Sequence, residues 1–460
     1  MFFYLKNFST INLITDGTKR MNILPKYSIN NQKKFIVSLW ISLAILMIVS
    51  IIPMSALAGI NYSWTVASTK ESTIAKGVTQ TENVAYNTEG NRVAFYTVTA
   101  DITRDDVDIY ANYYNNQLEE LGMQTVIDQA HAAEKNHADV PNYKVVATTN
   151  ADFYNMSTGK PSGVLVMEGT AISGMGTTRS FFGIKKDGTP IVGKAGTYAS
   201  VAGEIQEAVG GGVVMLYDGQ VLVNNDRTST NAMYPRSIAG YTPEGKIVLL
   251  VADGSQPPVS YGMSYYDVAL QMQAMGCTYA IDLDGGGSAT MATKAEGEDE
   301  LSVLNNPCDG AMRTVSSSLM IVSTAVADGA FDHAALTAEE TYVTPESTVK
   351  VSAVGADAAG GAADIPEDVS WQLKDASMGT VEDGVFTSNG KVGDAVVQMV
   401  YNGNVVGETT IKVVIPEEIS FAYDNIVVPY DKTLEFIISA TVNNGVNEVV
   451  LKEVLFCNYN

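Results

Sequence analysis

Between residues 61 and 326 short runs with the two-residue period of strands are interrupted by a few stretches at helical spacing. Residues 93–109 read as two strands, residues 118–134 place apolar side chains near a 3.6-residue period and predict a helix, and residues 143–149 are extended again. Apolar strands are expected at 180–184, 213–223 and 247–252, set off by Asp-Gly turns at 187–188, 218–219 and 253–254. In one strand–helix–strand unit, Ser264 caps a helix with Asp267 at the capping-box position, and Val268, Met272 and Met275 line one face. Gly276 ends that helix. Residues 277–283 then form a strand that runs into Asp284-Gly285-Gly286-Gly287-Ser288.

This pattern predicts an α+β protein whose residues 59–330 form a mixed α/β domain rich in strands. Past residue 326 the helical period disappears. Strand-like runs around Trp371 and Val381 and at 396–401 and 409–414, with an Asn402-Gly403 turn, predict an all-β sandwich over 331–415. On Trp371, residues 384–387 and the last strand, it resembles bacterial immunoglobulin-like modules. Residues 416–460, with an Asn444-Gly445 hairpin, are too few to bury a core of their own and read as an incomplete β segment.

Charge separates the first 58 residues from the rest. They hold six of the 28 Lys and Arg and one of the 51 Asp and Glu, which leaves 22 positive against 50 negative side chains beyond them. So acidic a surface repels polyphosphate, and nucleic acid is not an expected partner. Lys33 and Lys34 precede an apolar run at 35–52 that ends in Ser55-Ala56-Leu57-Ala58, the pattern of an export signal cut after Ala58. The run is long enough to span a bilayer, so an uncleaved membrane anchor is the competing reading. Met21 is a second candidate start, which puts residues 1–20 in question. Either way the expected location is secreted or cell-surface. Three cysteines, Cys277, Cys308 and Cys457, are too few for a disulfide framework or a four-cysteine zinc site, and Cys277 reads as a buried apolar thiol.

Counts also remove common enzyme plans. The only histidines are His131, His137 and His333, in no zinc-binding pattern, and there is no Gly-x-Ser-x-Gly elbow or phosphate-binding P-loop. Carboxylates and arginines remain. Asp282-Leu283-Asp284-Gly285-Gly286-Gly287-Ser288 puts two aspartates on one strand face, with Ile281 and Leu283 toward the core, before three glycines that free the backbone to approach an anion or a sugar. A plain tight turn is the alternative. A calcium loop fails because Gly286 and Thr293 fall at its fifth and twelfth positions. Nothing in the sequence requires a cofactor, although the acidic clusters leave room for a divalent cation such as calcium.

The segment 280–291, containing these glycines, resembles the signature of the phosphodiester glycosidase family, the uncovering-enzyme-like group. So do Asn150-Ala151-Asp152-Phe153-Tyr154 with Gly159-Lys160-Pro161-Ser162-Gly163, Pro235-Arg236-Ser237-Ile238-Ala239-Gly240, residues 248–254, and Arg313-Thr314-Val315-Ser316. The resemblance covers roughly residues 73–326. It implies hydrolysis of a sugar-1-phosphodiester, of the N-acetylglucosamine type, to free sugar and phosphate monoester. On that reading Asp284, Asp253 and Asp152 are the candidate catalytic carboxylates, and Asp282 orients rather than reacts. Arg179, Arg236 and Arg313 suit phosphate oxygens because a guanidinium is a planar fork of donors. Asn150, Gly285, Gly286, Gly287 and Ser288 complete the candidate substrate contacts. The glycan or sugar-phosphate substrate is the implied partner, with contact to a cell-wall or envelope polymer. The competing function is a noncatalytic cell-surface protein that binds phosphorylated glycans.

Overall fold

A computed structural model describes residues 21–22 and 64–458, apart from 88, 118, 174–177, 225–231, 296, 299, 416–417, 422–424, 427–432 and 444–447. The expected export signal therefore lies outside the described residues except for Met21–Asn22, and so does the Asn444-Gly445 turn. Among the described residues no helix is long and apolar enough to cross a membrane.

Among the described residues strand makes up 48% and helix 11%, with three short α-helices. This corrects the expected α+β class: the larger unit, residues 58–335 with 354–367, is a β-rich fold and not a mixed α/β domain. Three antiparallel sheets build it. The first has eight strands, in the order Gln220–Val221, Val214–Tyr217, Tyr279–Asp282, Arg236–Tyr241, Lys246–Ala252, Arg92–Asp101, Val78–Asn87 and Trp64–Ala75. The second runs Leu301–Val303, Met291–Lys294, Lys144–Asn150, Ser317–Ser323 and Val107–Tyr113. The third runs Pro190–Gly193, Ser180–Lys185, Ile205–Gly211, Leu165–Met167 and Thr170–Ser173.

A single core joins all three, with Val98, Leu249 and Ile281 from the first sheet, Ala147 and Ile321 from the second, and Phe182 and Val209 from the third. Two of the helices cover outer sheet faces. Tyr265–Ala274, whose capping box between Ser264 and Asp267 is present, sets Val268, Ala269 and Met272 against the first sheet. Cys277 is buried there, and burial pushes its thiol up to about 12. The strands either side of this helix are not neighbours. Arg236–Tyr241 lies between them, antiparallel to both, so the crossover is one excursion over an antiparallel sheet. The second helix is shorter than its period suggested. It spans Val126–Asn136, because the Thr125 side chain accepts from the Asp128 amide and starts the helix there, while Gln124 is already bridged to Val315.

The smaller unit contains two four-stranded sheets, with His333–Ala338, Thr348–Ala356, Val385–Ser388 and Gly379–Glu382 in one, and Tyr342–Val343, Asn404–Val413, Gly393–Tyr401 and Ser370–Leu373 in the other. Val349, Val351 and Phe386 from the first meet Val397, Ile411 and Val413 from the second in one core. Glu418–Phe421, Thr433–Asn443 and Glu448–Asn458 form a further three-stranded antiparallel sheet.

Candidate active site

All three sheets of the larger unit end at one place. Lys144–Asn150 leads into Asp152 and Phe153, Ile205–Gly211 into Gly212, and Tyr279–Asp282 into the glycine run. Arg179 precedes Ser180–Lys185, and Arg236 opens Arg236–Tyr241. Backbone bonds stitch the ends together: Asp284 N–H donates to Ala151 O at 2.8 Å, Gly212 N–H to Asp282 O at 2.7 Å, and Gly286 N–H to Pro235 O at 3.0 Å.

Each glycine of the run is needed for a different reason. Gly286 has φ +62°, in the left-handed region, and its amide is committed to Pro235. A Cβ on Gly285 would lie 2.6 Å from Pro235 O, and one on Gly287 would lie 2.0 Å from Arg313 Nη2 and 2.4 Å from Asp309 Oδ1. A second triglycine, Gly210-Gly211-Gly212, lies against the strand that leads into this one. A Cβ on Gly210 would meet Asp152 Cγ at 2.6 Å, and one on Gly212 would meet Asp282 Oδ2 at 3.0 Å and the Phe153 ring at 3.2 Å. Gly210, Gly211 and Gly212 were not singled out from the sequence, where the repeat of the Gly-Gly-Gly run was the available signal.

Asp152, Asp282 and Asp284 form one electrostatic group with Arg179, whose charge stabilises all three carboxylates. Arg179 Nε is 3.9 Å from Asp152 Oδ1, and its guanidinium lies over the Phe153 ring, 4.6 Å from the centroid. Burial pushes Asp152 up to about 7, against the Gly163 amide, which donates to Oδ2 at 2.5 Å, and against Arg179. Burial also pushes Asp282 up to about 7, opposed by the Arg236 charge and by the Tyr265 hydroxyl, which donates to Oδ2 at 2.9 Å. Asp284 is only half-buried. Burial raises it to about 6, while a Ser288 hydrogen bond, Arg313 and Arg179 act the other way.

Arg313 approaches from the far side of the loop. Asp309 Oδ2 accepts from its Nε at 2.9 Å and its Nη2 at 2.6 Å, which leaves Nη1 to the buried Ser288 Oγ at 3.3 Å. The side chains of Arg179 and Arg313 are 34% and 30% exposed, so both guanidinia reach solvent. The Tyr154 hydroxyl donates to Thr314 O at 2.8 Å and helps hold the segment bearing Arg313.

Three candidate residues have other tasks. Asn150 is fully buried and spent on structure. Its Nδ2 donates to Asp284 O at 2.5 Å, and its Oδ1 accepts from Ser237 Oγ at 2.7 Å and Thr290 N at 3.1 Å, which clamps the glycine run from below. Arg236 is buried, donates to Met263 O at 3.1 Å and Ala232 O at 2.9 Å, and stacks on Tyr265 at 3.8 Å. It acts on the site through Asp282. Asp253 does not end in the expected turn: it is buried, its amide continues the pairing to Ala94 O, and its carboxylate accepts from Asn305 Nδ2 at 2.9 Å and Asn306 N at 3.1 Å. It pins the 305–309 loop and is not among the groups that shift Asp284. Tyr265 and Asp309 carried no sequence signal of their own, because their partners lie 17 residues away and in a loop.

Among the described residues no three His, Cys, Asp or Glu side chains are grouped to hold a metal ion. The arrangement is one half-buried carboxyl, Asp284, beside two buried ones and two solvent-reaching guanidinia, which suits stabilising a positive carbon and a negative leaving group together.

Residues 143–322 match the family model described as phosphodiester glycosidase. Over 179 residues the chain is 29% identical to N-acetylglucosamine-1-phosphodiester alpha-N-acetylglucosaminidase of Mus musculus, covering 34% of each protein. It is 26% identical over 158 residues to the Homo sapiens protein of that name, covering 31% of this chain and 30% of that one. The chain thus spans about a third of the length of these relatives. A solved structure, the zebrafish catalytic domain of the same name auto-inhibited by its pro-peptide, aligns with TM-score 0.42 and 20% identity over 57% of this chain and 88% of that one.

Proposed function

We propose that this protein, whose residues 143–322 match the phosphodiester glycosidase family model, hydrolyses a sugar-1-phosphodiester, of the N-acetylglucosamine α-phosphodiester kind, to free sugar and phosphate monoester. The observation that carries the reading is that Arg179, 3.9 Å from Asp152 Oδ1, and Arg313, whose Nη1 is 3.3 Å from Ser288 Oγ, come to the two segments that Asp284 joins through its bond to Ala151 O and its place before the glycine run. Cleavage leaves positive charge at the anomeric carbon and negative charge on phosphate. Asp284, the carboxylate of the three that reaches solvent, meets the first as nucleophile or as base for water. A guanidinium meets the second. Phosphate is already a weak base, so stabilising its charge contributes more than protonating it.

We place this activity outside the cell, on the reading of residues 1–58 as an export signal. The β-sandwich of the smaller unit serves as an immunoglobulin-like spacer that presents the enzyme to envelope polymer.

The test is sugar release from N-acetylglucosamine α-phosphodiesters by the purified protein. Asp284→Asn and Arg313→Ala should each lower kcat/KM by about 100-fold or more while the thermal transition stays cooperative. Robust turnover by both variants would overturn the assignment of roles. Binding without turnover across a panel of phosphoglycans would instead support the noncatalytic surface protein.

A further inference from the structure

Asp152 and Asp282 are each only 1% exposed, and they are left in the same condition. One oxygen of each is tied, Asp152 Oδ2 to the Gly163 amide and Asp282 Oδ2 to the Tyr265 hydroxyl. The other oxygen, Oδ1 in both, is buried and accepts no hydrogen bond among the described residues; Asp152 Oδ1 faces Arg179 Nε as an ion pair at 3.9 Å, beyond hydrogen-bond distance. A buried acceptor without a donor costs about 1–3 kcal/mol, so two of them around one guanidinium mark a place where a ligand completes the bonding. The ligand group that fits must bring donors. A sugar brings hydroxyl and amide N–H groups, whereas a phosphodiester brings only acceptor oxygens and negative charge, which these two carboxyls would repel.

The other side of Asp284 has the opposite character. Arg313 Nη1 and the Ser288 hydroxyl lie there, and the carboxylate bonded to Arg313, Asp309, is 42% exposed. Asp284 lies between the two sides: its amide donates to Ala151 O at 2.8 Å, next to Asp152, and along the chain it stands between Asp282 and Ser288. We propose that the site is polarised, with Asp152 and Asp282 receiving the donor groups of the sugar, Arg313 and Ser288 receiving the phosphate, and Asp284 at the join. The assignment rests on the hydrolase reading above. Arg179, seated between the acidic pair and Phe153, then belongs to the sugar side and permits two carboxyls to be buried together.

The experiment is calorimetric titration of the purified full-length protein with N-acetylglucosamine and, separately, with dimethyl phosphate, which has acceptors only. Asp152→Asn and Asp282→Asn should each weaken the sugar at least tenfold and change dimethyl phosphate by less than twofold; Arg313→Ala should do the reverse. Should Asp282→Asn fail to fold, Tyr265→Phe frees the Asp282 carboxyl and should weaken the sugar at least threefold without affecting the phosphate ester. The proposal is overturned if the aspartate variants weaken both probes equally, if they weaken only dimethyl phosphate, or if the wild-type protein does not bind the sugar. The expected binding pattern in a protein that turns over no sugar-1-phosphodiester would remove the hydrolase reading and leave the polarity standing. Turnover with the wrong pattern would do the opposite.

Discussion

Two glycine-to-alanine substitutions separate stability from activity in this fold. Gly276, the residue after the cap of the Tyr265–Ala274 helix, has φ +85°, and a Cβ there would meet nothing closer than Thr242 Cγ2 at 3.8 Å. Its alanine variant meets backbone strain alone, about 1–2 kcal/mol for an L-residue in the left-handed region, offset in part by about 0.4–1 kcal/mol from a stiffer unfolded chain. A net loss of about 1 kcal/mol with unchanged turnover is expected. At Gly287 the backbone is not left-handed, but a Cβ would lie 2.0 Å from Arg313 Nη2. Contact needs about 3.5 Å, so the guanidinium must retreat by about 1.5 Å. It can, because Arg313 and Asp309 are partly solvated and a surface pair is worth only about 0–1 kcal/mol. Misplacing a substrate-positioning group by about 1 Å costs on the order of 100-fold in rate. Gly287→Ala should therefore unfold within about 1 kcal/mol of wild type in urea while kcat/KM for sugar release falls about 100-fold. Full turnover by Gly287→Ala, or a loss of activity matched by a loss of stability, would refute the argument that this glycine exists to admit Arg313.

The three carboxyls predict a pH dependence of stability. Each has a folded pKa above its ordinary 3.8, about 6 for Asp284 and about 7 for Asp152 and Asp282. Their stabilising contribution is therefore complete below pH 4 and lost as pH rises through 6–7. Melting temperatures from pH 4 to 8 should show Asp282→Asn gaining on wild type as pH rises, and a flat difference would contradict this. Arg236 and Arg313 should also separate in urea unfolding. Arg236→Met removes two bonds to buried carbonyls and the counter-charge to Asp282, and should cost about 3–5 kcal/mol, whereas Arg313→Ala should cost about 1 kcal/mol or less. Equal costs would return Arg236 to the role of a substrate ligand.

Local chemistry was legible in the sequence where neighbours in the chain decide it. The Ser264–Asp267 capping box and the alternation that buries Ile281 and Leu283 depend on residues a few positions apart. Fold class was not, because a helix between two strands looks the same whether the strands are adjacent and parallel or separated by Arg236–Tyr241, which precedes both in the chain. The first half of the period over 118–134 failed for a related reason. Gln124 pairs with Val315, 191 residues later, and that long-range bridge outweighs local spacing. At the site, residue type pointed to segments that the fold brings together, without distinguishing which side chains bond to the protein. Asn150, Asp253 and Arg236 are polar groups whose bonds all go to the protein, and only the partners across sheets reveal this.

The glycines follow from the same geometry. A site assembled from the ends of three antiparallel sheets must bring several chain segments close together while leaving Asp284 within reach of solvent. Side chains at the crossing points would hold the segments apart. Gly210 and Gly212 let the third sheet touch Asp152 and Asp282, and Gly285 and Gly287 let the first sheet touch Pro235 and Arg313. With no Cβ on either run, the strand ends close until the backbones bond directly, Gly212 to Asp282 and Gly286 to Pro235. That closeness buries Asp152 and Asp282 and raises their pKa values. Glycine content and carboxyl acidity are thus one property of this site, and an alanine at Gly210, 2.6 Å from Asp152 Cγ, must disturb both together.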